Sequence, residues 1–123
     1  MSAGALVRRL LLGRPLATSQ ASHERLPKRL ALAVFSSEGC ALCASAAPSV
    51  ALLARDPALA VETFDEVRHA DAWARASVPG SPYAVALDPG DGTVLAKGTF
   101  NGLAQLESVL ATAERRALEA AHA

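Results

Sequence analysis

Leu30-Ala-Leu-Ala-Val-Phe-Ser-Ser-Glu-Gly-Cys-Ala-Leu-Cys43 carries the two cysteines of the chain, placed where an apolar run gives way to an alanine-rich helical pattern. Leu30 to Ser36 has the length and the unbroken apolar character of a central strand covered on both faces. Ser36-Ser37-Glu38-Gly39 reads as an exposed turn, and Cys40 then falls at the start of a helix. Two thiols separated by two residues there can close into a disulfide with little backbone movement. The first of them lies among unpaired N–H groups at the positive end of the helix dipole, which favours thiolate over thiol. Strand, Cys-x-x-Cys turn and helix together read as a dithiol/disulfide redox site, with Cys40 as nucleophile and Cys43 as resolving thiol.

Zinc is the competing use of such a pair. A structural zinc needs four ligands, and His23, His69 and His122 are scattered, with no second cysteine pair to complete the sphere. Neither metal nor cofactor is therefore expected. Two buried structural thiols fit poorly with the exposed turn that precedes them.

Outward from this stretch the pattern stays regular. Cys40 to Ala54 places Leu42, Ala46, Val50 and Leu53 at helical spacing, and Asp56-Pro57 ends the helix. Leu59 to Asp65 reads as a second strand, and Glu66 to Ser77 as a second helix with Val67, Ala70 and Trp73 on one side. Pro79, Gly80 and Pro82 break the chain. Tyr83–Leu87 and Thr93–Gly98 flank Asp88-Pro89-Gly90-Asp91-Gly92 as an antiparallel hairpin. Asn101-Gly102 opens a last helix burying Leu103, Leu106, Val109 and Leu110. The expected fold is α/β: a βαβ unit plus a ββα unit sharing one four-stranded mixed sheet, with helices on both faces. The cysteines then lie at the carboxyl edge of the sheet, where such folds place their chemistry.

Composition bounds the function. The 123 residues support one domain, and a formal net charge of zero gives nucleic acid no electrostatic footprint. With 51% hydrophobic but 4% aromatic residues, the core is expected to be built from small side chains. No segment is long enough to span a bilayer, since Arg8 and Arg9 interrupt Leu6–Leu12 and Gly13 and Pro15 stop it. The same charges argue against a secretory signal, which places the chain in the reducing cytoplasm, as a monomer, where a cysteine pair is transient and catalytic. Residues 1–29 read as a loosely ordered arm with one short helical turn near Ala5–Leu12, and residues 30–123 as the folded domain.

Cys40-Ala-Leu-Cys-Ala-Ser-Ala-Ala-Pro48 resembles the active-site helix of the thioredoxin superfamily, in which a proline recurs five residues after the second cysteine. Val78-Pro-Gly-Ser-Pro-Tyr-Ala-Val-Ala-Leu87 is similar to the family's cis-proline segment, and Gly98 also matches. The likeness covers about residues 30–116. It implies a thiol-disulfide oxidoreductase acting on protein or small-molecule disulfides. It also implies that Pro82 presses a cis peptide bond against the thiols, that the backbone of Ser81 pairs with an extended substrate segment, and that Tyr83 walls the substrate groove. From the residues alone, an ordinary trans turn proline at Pro82 stays open. Three departures point away from efficient general reduction: no aromatic residue precedes Cys40, no proline separates the cysteines, and Val34 stands where the family has a buried carboxylate.

Two further likenesses concern parts of the chain. Pro82-Tyr-Ala-Val-Ala-Leu-Asp-Pro-Gly-Asp-Gly-Thr-Val-Leu-Ala-Lys-Gly-Thr-Phe-Asn101 resembles the thioredoxin-like accessory proteins of methylamine dehydrogenase maturation. That resemblance implies a rival role as a binding or maturation module without turnover. Gly13 to Ser37 resembles the cytoplasmic tail of amino-acid permeases, which implies a join near Ser37 between a permease tail and a thioredoxin-like body.

Overall fold

The protein is described by a computed structural model over residues 3–12 and 28–122. The elements are α1 (Ala3–Leu12), β1 (Leu30–Ser36), α2 (Ala41–Ala54), β2 (Leu59–Asp65), α3 (Ala70–Ala76), β3 (Tyr83–Leu87), β4 (Val94–Thr99) and α4 (Leu103–Ala121). The sheet order is β2-β1-β3-β4, with β1 and β2 parallel and the other two pairs antiparallel. This is the expected α/β architecture.

The continuous apolar run of β1 follows from its central place. Leu32 and Val34 enter one core, beneath α2 and α4, while Ala31, Ala33 and Phe35 enter the other, beneath α1 and α3. The α2/α4 core is built from small aliphatic residues, as the composition demands, with Phe100 at its edge. Four of the five aromatic residues collect on the opposite face: Phe35, Phe64, Trp73 and Tyr83. Phe35 stacks on Phe64 at 5.5 Å and meets the Trp73 edge at 5.8 Å. The Trp73 indole donates to the Phe64 carbonyl at 3.1 Å, so its polar atom is satisfied.

The amino-terminal segment departs from expectation. Ala3–Leu12 is a helix packed against β2, β1 and α3, with Leu6, Val7 and Leu11 buried in the aromatic core. A loosely ordered arm over residues 1–29 therefore does not describe residues 3–12. Leu6, Val7, Leu10 and Leu11 form a helical stripe, and burying each such side chain stabilises the fold by about 1.5–3 kcal/mol. Arg8 and Arg9 do not interrupt this stripe, because helical spacing turns them away from it; Arg8 pairs with Glu62 on β2 at 3.0 Å. A helix integral to the core also counts against a join near Ser37. Residues 13–27, most of the permease-like stretch, lie outside the described residues.

Element boundaries differ where side chains capture the backbone. Residues 66–69 are turn rather than helix, and Val67 is 83% exposed instead of packed. The Asp65 carboxylate accepts from the Val67 and Arg68 amides, both at 2.9 Å, and the His69 ring accepts from the Asp65 amide at 3.0 Å. His69 is thus a local backbone acceptor, edge-on to Phe64, and not a merely solvated residue. In the hairpin, Asp88 and Asp91 bond the Gly90 and Thr93 amides, Gly92 takes φ +79, and β4 begins at Val94. On α4, Arg116 donates to the Leu95 carbonyl at 2.7 Å and Glu114 pairs with Arg29 at 3.3 Å, so these two side chains tether the helix.

Candidate active site

The site begins at the carboxyl end of β1. Gly39, at φ +78, turns the chain, and Cys40 becomes the N-cap of α2 in extended conformation. Its Sγ accepts from the Cys43 amide at 3.1 Å, and the Ala44 amide bonds the Cys40 carbonyl at 3.1 Å. Cys40 and Cys43 are joined as a disulfide, with Cα atoms 5.2 Å apart. Both cysteines are half-buried.

Pro82 arrives immediately before the neighbouring strand, β3. The Ser81–Pro82 peptide bond is cis, and buried Pro82 lines a cleft with Cys43 and another with Leu42. The hydroxyls of Ser81 and Ser37 lie 2.6 Å apart, hydrogen-bonding the proline loop to the cysteine loop across 44 residues. Sequence reasoning missed Ser37; a serine in a turn carries no signal of a partner so distant in the chain. Tyr83 is a correction. Strand alternation sends it into the aromatic core beneath α1 and α3, 9% exposed, while Ala84 faces the α2 side. It borders neither cleft. Leu42 is the converse case: expected on the buried face of α2, it is 55% exposed between the cysteines.

Two clefts flank the disulfide. One, of about 300 Å³, runs from Leu42 and Pro82 to Phe100, Asn101 and Gln105. The other, of about 340 Å³, lies between α2 and β2, with Cys43 at its mouth and Val34, Val50, Ala51 and Val61 in its walls. Val34, 2% exposed, places a methyl surface beside Cys43. No charged residue occurs on α2, and Glu62, the one carboxylate bordering the second cleft, is paired with Arg8. The nearest perturbed acid is Asp65. Its bond to the Arg68 amide, against an opposing desolvation, holds its carboxyl below the ordinary value of 3.8.

No family model matches the chain, and neither does any curated protein sequence. Solved structures do. A thioredoxin from Fasciola hepatica is 23% identical, with TM-score 0.63, over 76% of this chain and 88% of that one. The germline-specific thioredoxin Deadhead of Drosophila melanogaster is 22% identical, with TM-score 0.62, over 76% and 86%. Mitochondrial thioredoxin 3 of Saccharomyces cerevisiae, in its oxidized form, is 20% identical, with TM-score 0.59, over 66% and 76%. With this sheet order, this Cys-x-x-Cys disulfide at a helix N-terminus and this cis-proline loop, the chain has the thioredoxin-like fold.

Proposed function

We propose that the chain is a thiol-disulfide oxidoreductase whose reacting atoms are the sulfurs of Cys40 and Cys43. The observation that carries this reading is the disulfide at the N-terminus of α2, with Sγ of Cys40 bonded by the Cys43 amide. In the reducing direction, the Cys40 thiolate attacks a substrate disulfide, forming a mixed disulfide and releasing one substrate thiolate, which takes a proton from water. The Cys43 thiol gives its proton to water and, as thiolate, attacks Sγ of Cys40, breaking the mixed disulfide, closing the internal one and releasing the second substrate thiolate, which is protonated in turn. Two electrons pass to the substrate, and an external dithiol must return them. The backbone of Ser81 beside Pro82 suits pairing with an extended substrate, and the Ser37–Ser81 hydrogen bond holds that loop to the cysteine turn. Such cycling suits a reducing compartment. Among the described residues no helix is long and apolar enough to cross a membrane.

The test is trapping. Cys43→Ser is expected to accumulate mixed disulfides at Cys40 when offered oxidised glutathione or a peptide disulfide, read by mass spectrometry, while Cys40→Ser accumulates none. A Cys40/Cys43 pair that neither equilibrates with a glutathione buffer nor forms those adducts would overturn the reading. That result would favour the accessory-module alternative, which the surroundings of Cys43 also support: among the described residues the one carboxylate bordering its cleft, Glu62, is paired with Arg8.

A further inference from the structure

Among the described residues, the outer edge of β2 is closed at both ends and unpaired in the middle. Glu66 N bonds Ser36 O, and Leu30 N bonds Ala58 O, so even-numbered residues of β2 turn their backbone groups inward to β1. Odd-numbered residues turn theirs outward. At one end the Leu59 amide bonds Asp56 O. At the other, Asp65 N and O are taken by His69, through its ring and its amide. Between them stand Val61 and Thr63, whose outward N–H and C=O groups have no partner among the described residues. Their side chains face the α2 side, and both border the 340 Å³ cleft that ends at Cys43. An unpaired strand edge is a template for another strand, and here it adjoins an apolar hollow.

We propose that this edge and the cleft beneath α2 form a docking site for an extended, uncharged apolar segment of a partner protein, added to β2 as a further strand. Charge complementarity selects the occupant. α2 carries no charged residue, Glu62 is neutralised by Arg8 on the opposite face, and a charged side chain entering beside Val50, Ala51 and Val61 finds no counter-ion. The open window is two residues long, so main-chain pairing spans a short segment, with one aliphatic side chain of that segment filling the cleft. The site is separate from the Ser81–Pro82 loop, and it stands whether or not the disulfide turns over.

The experiment uses the full chain, isotopically labelled, and a capped alternating valine–threonine peptide of about five residues. Saturable amide shifts are expected at Val61 and Thr63. Two peptide analogues, methylated at the odd or at the even backbone nitrogens, separate edge pairing from greasy contact: one loses about tenfold in affinity and the other does not. Thr63→Pro removes an outward donor without touching the β1 ladder, and is expected to weaken binding about tenfold while leaving the rate of disulfide reduction by dithiothreitol unchanged. The methylated peptides keep the test decisive if that variant fails to fold. Equal binding of both analogues, or shifts centred on Leu42 and Ser81, would overturn the proposal. So would Val61 and Thr63 amides protected from exchange in the free chain, which means the edge is already filled, and protection that grows with protein concentration, which means a second copy fills it.

Discussion

Val34 sets the character of the thiol site as firmly as the cysteines do. It points into the α2-side core, lines the cleft that Cys43 borders, and has no cationic side chain beside it among the described residues of that cleft. Val34→Asp is expected to lower stability at neutral pH by about 2–4 kcal/mol, because a carboxylate there loses its hydration without gaining a counter-charge. Such an acid has its folded pKa raised above its unfolded value. The folded form then binds the extra proton, so the deficit shrinks as pH falls towards 4 and grows above it. Urea unfolding at pH 4 and pH 7 reads the difference, and a deficit that is the same at both would show that the new side chain reaches solvent. The cysteine pair was legible from its spacing at the start of a helix, and Pro82 only through the likeness of its segment to a known family, since its residues alone left an ordinary turn proline open. Ser37 and the true direction of Tyr83 were not legible, because one depends on a contact 44 residues away and the other on which face of β3 each position takes.

At the scale of elements, α1 is the test of what is integral. Its Leu11 is buried with Phe35 and Phe64 in the same cluster, although no covalent continuity within 15 residues brings it there. Leu11→Ala is expected to cost about 2–4 kcal/mol in denaturant unfolding, the usual range for an aliphatic side chain truncated in a packed core. A change below about 0.5 kcal/mol would mean that the helix lies on the domain without supporting it. The strands, the hairpin and α4 stand close to where periodicity put them, because each alternation or stripe is set by its own residues. Glu66–His69 escaped the periodic reading because Asp65 and His69 offer the backbone better local hydrogen bonds than a helical turn does.

For the whole molecule, the disulfide ties redox state to stability. Closing a loop of this size removes entropy from the unfolded chain worth about 2 kcal/mol. The oxidised protein is therefore expected to resist guanidinium more than the dithiol form by about that amount. By linkage, its native reduction potential lies about 40 mV below that of the unfolded pair, since 1.4 kcal/mol corresponds to about 30 mV. Parallel denaturant titrations with and without dithiothreitol measure the first quantity and glutathione titrations with and without denaturant the second. Equal midpoints in both forms would mean that α2 holds the two sulfurs together unaided.

Sequence alone determined the order of strands and helices, the open four-stranded sheet and the Cys-x-x-Cys pair at the start of a helix. These depend on local periodicity, turn chemistry and residues with few alternative uses. Tertiary structure alone decided that α1 belongs to the core, that four of the five aromatic residues gather on one face, and that β2 borders the cleft that ends at Cys43. Each of these is a matter of which surfaces meet after the chain has closed on itself, and a one-dimensional pattern holds no record of its neighbours in space.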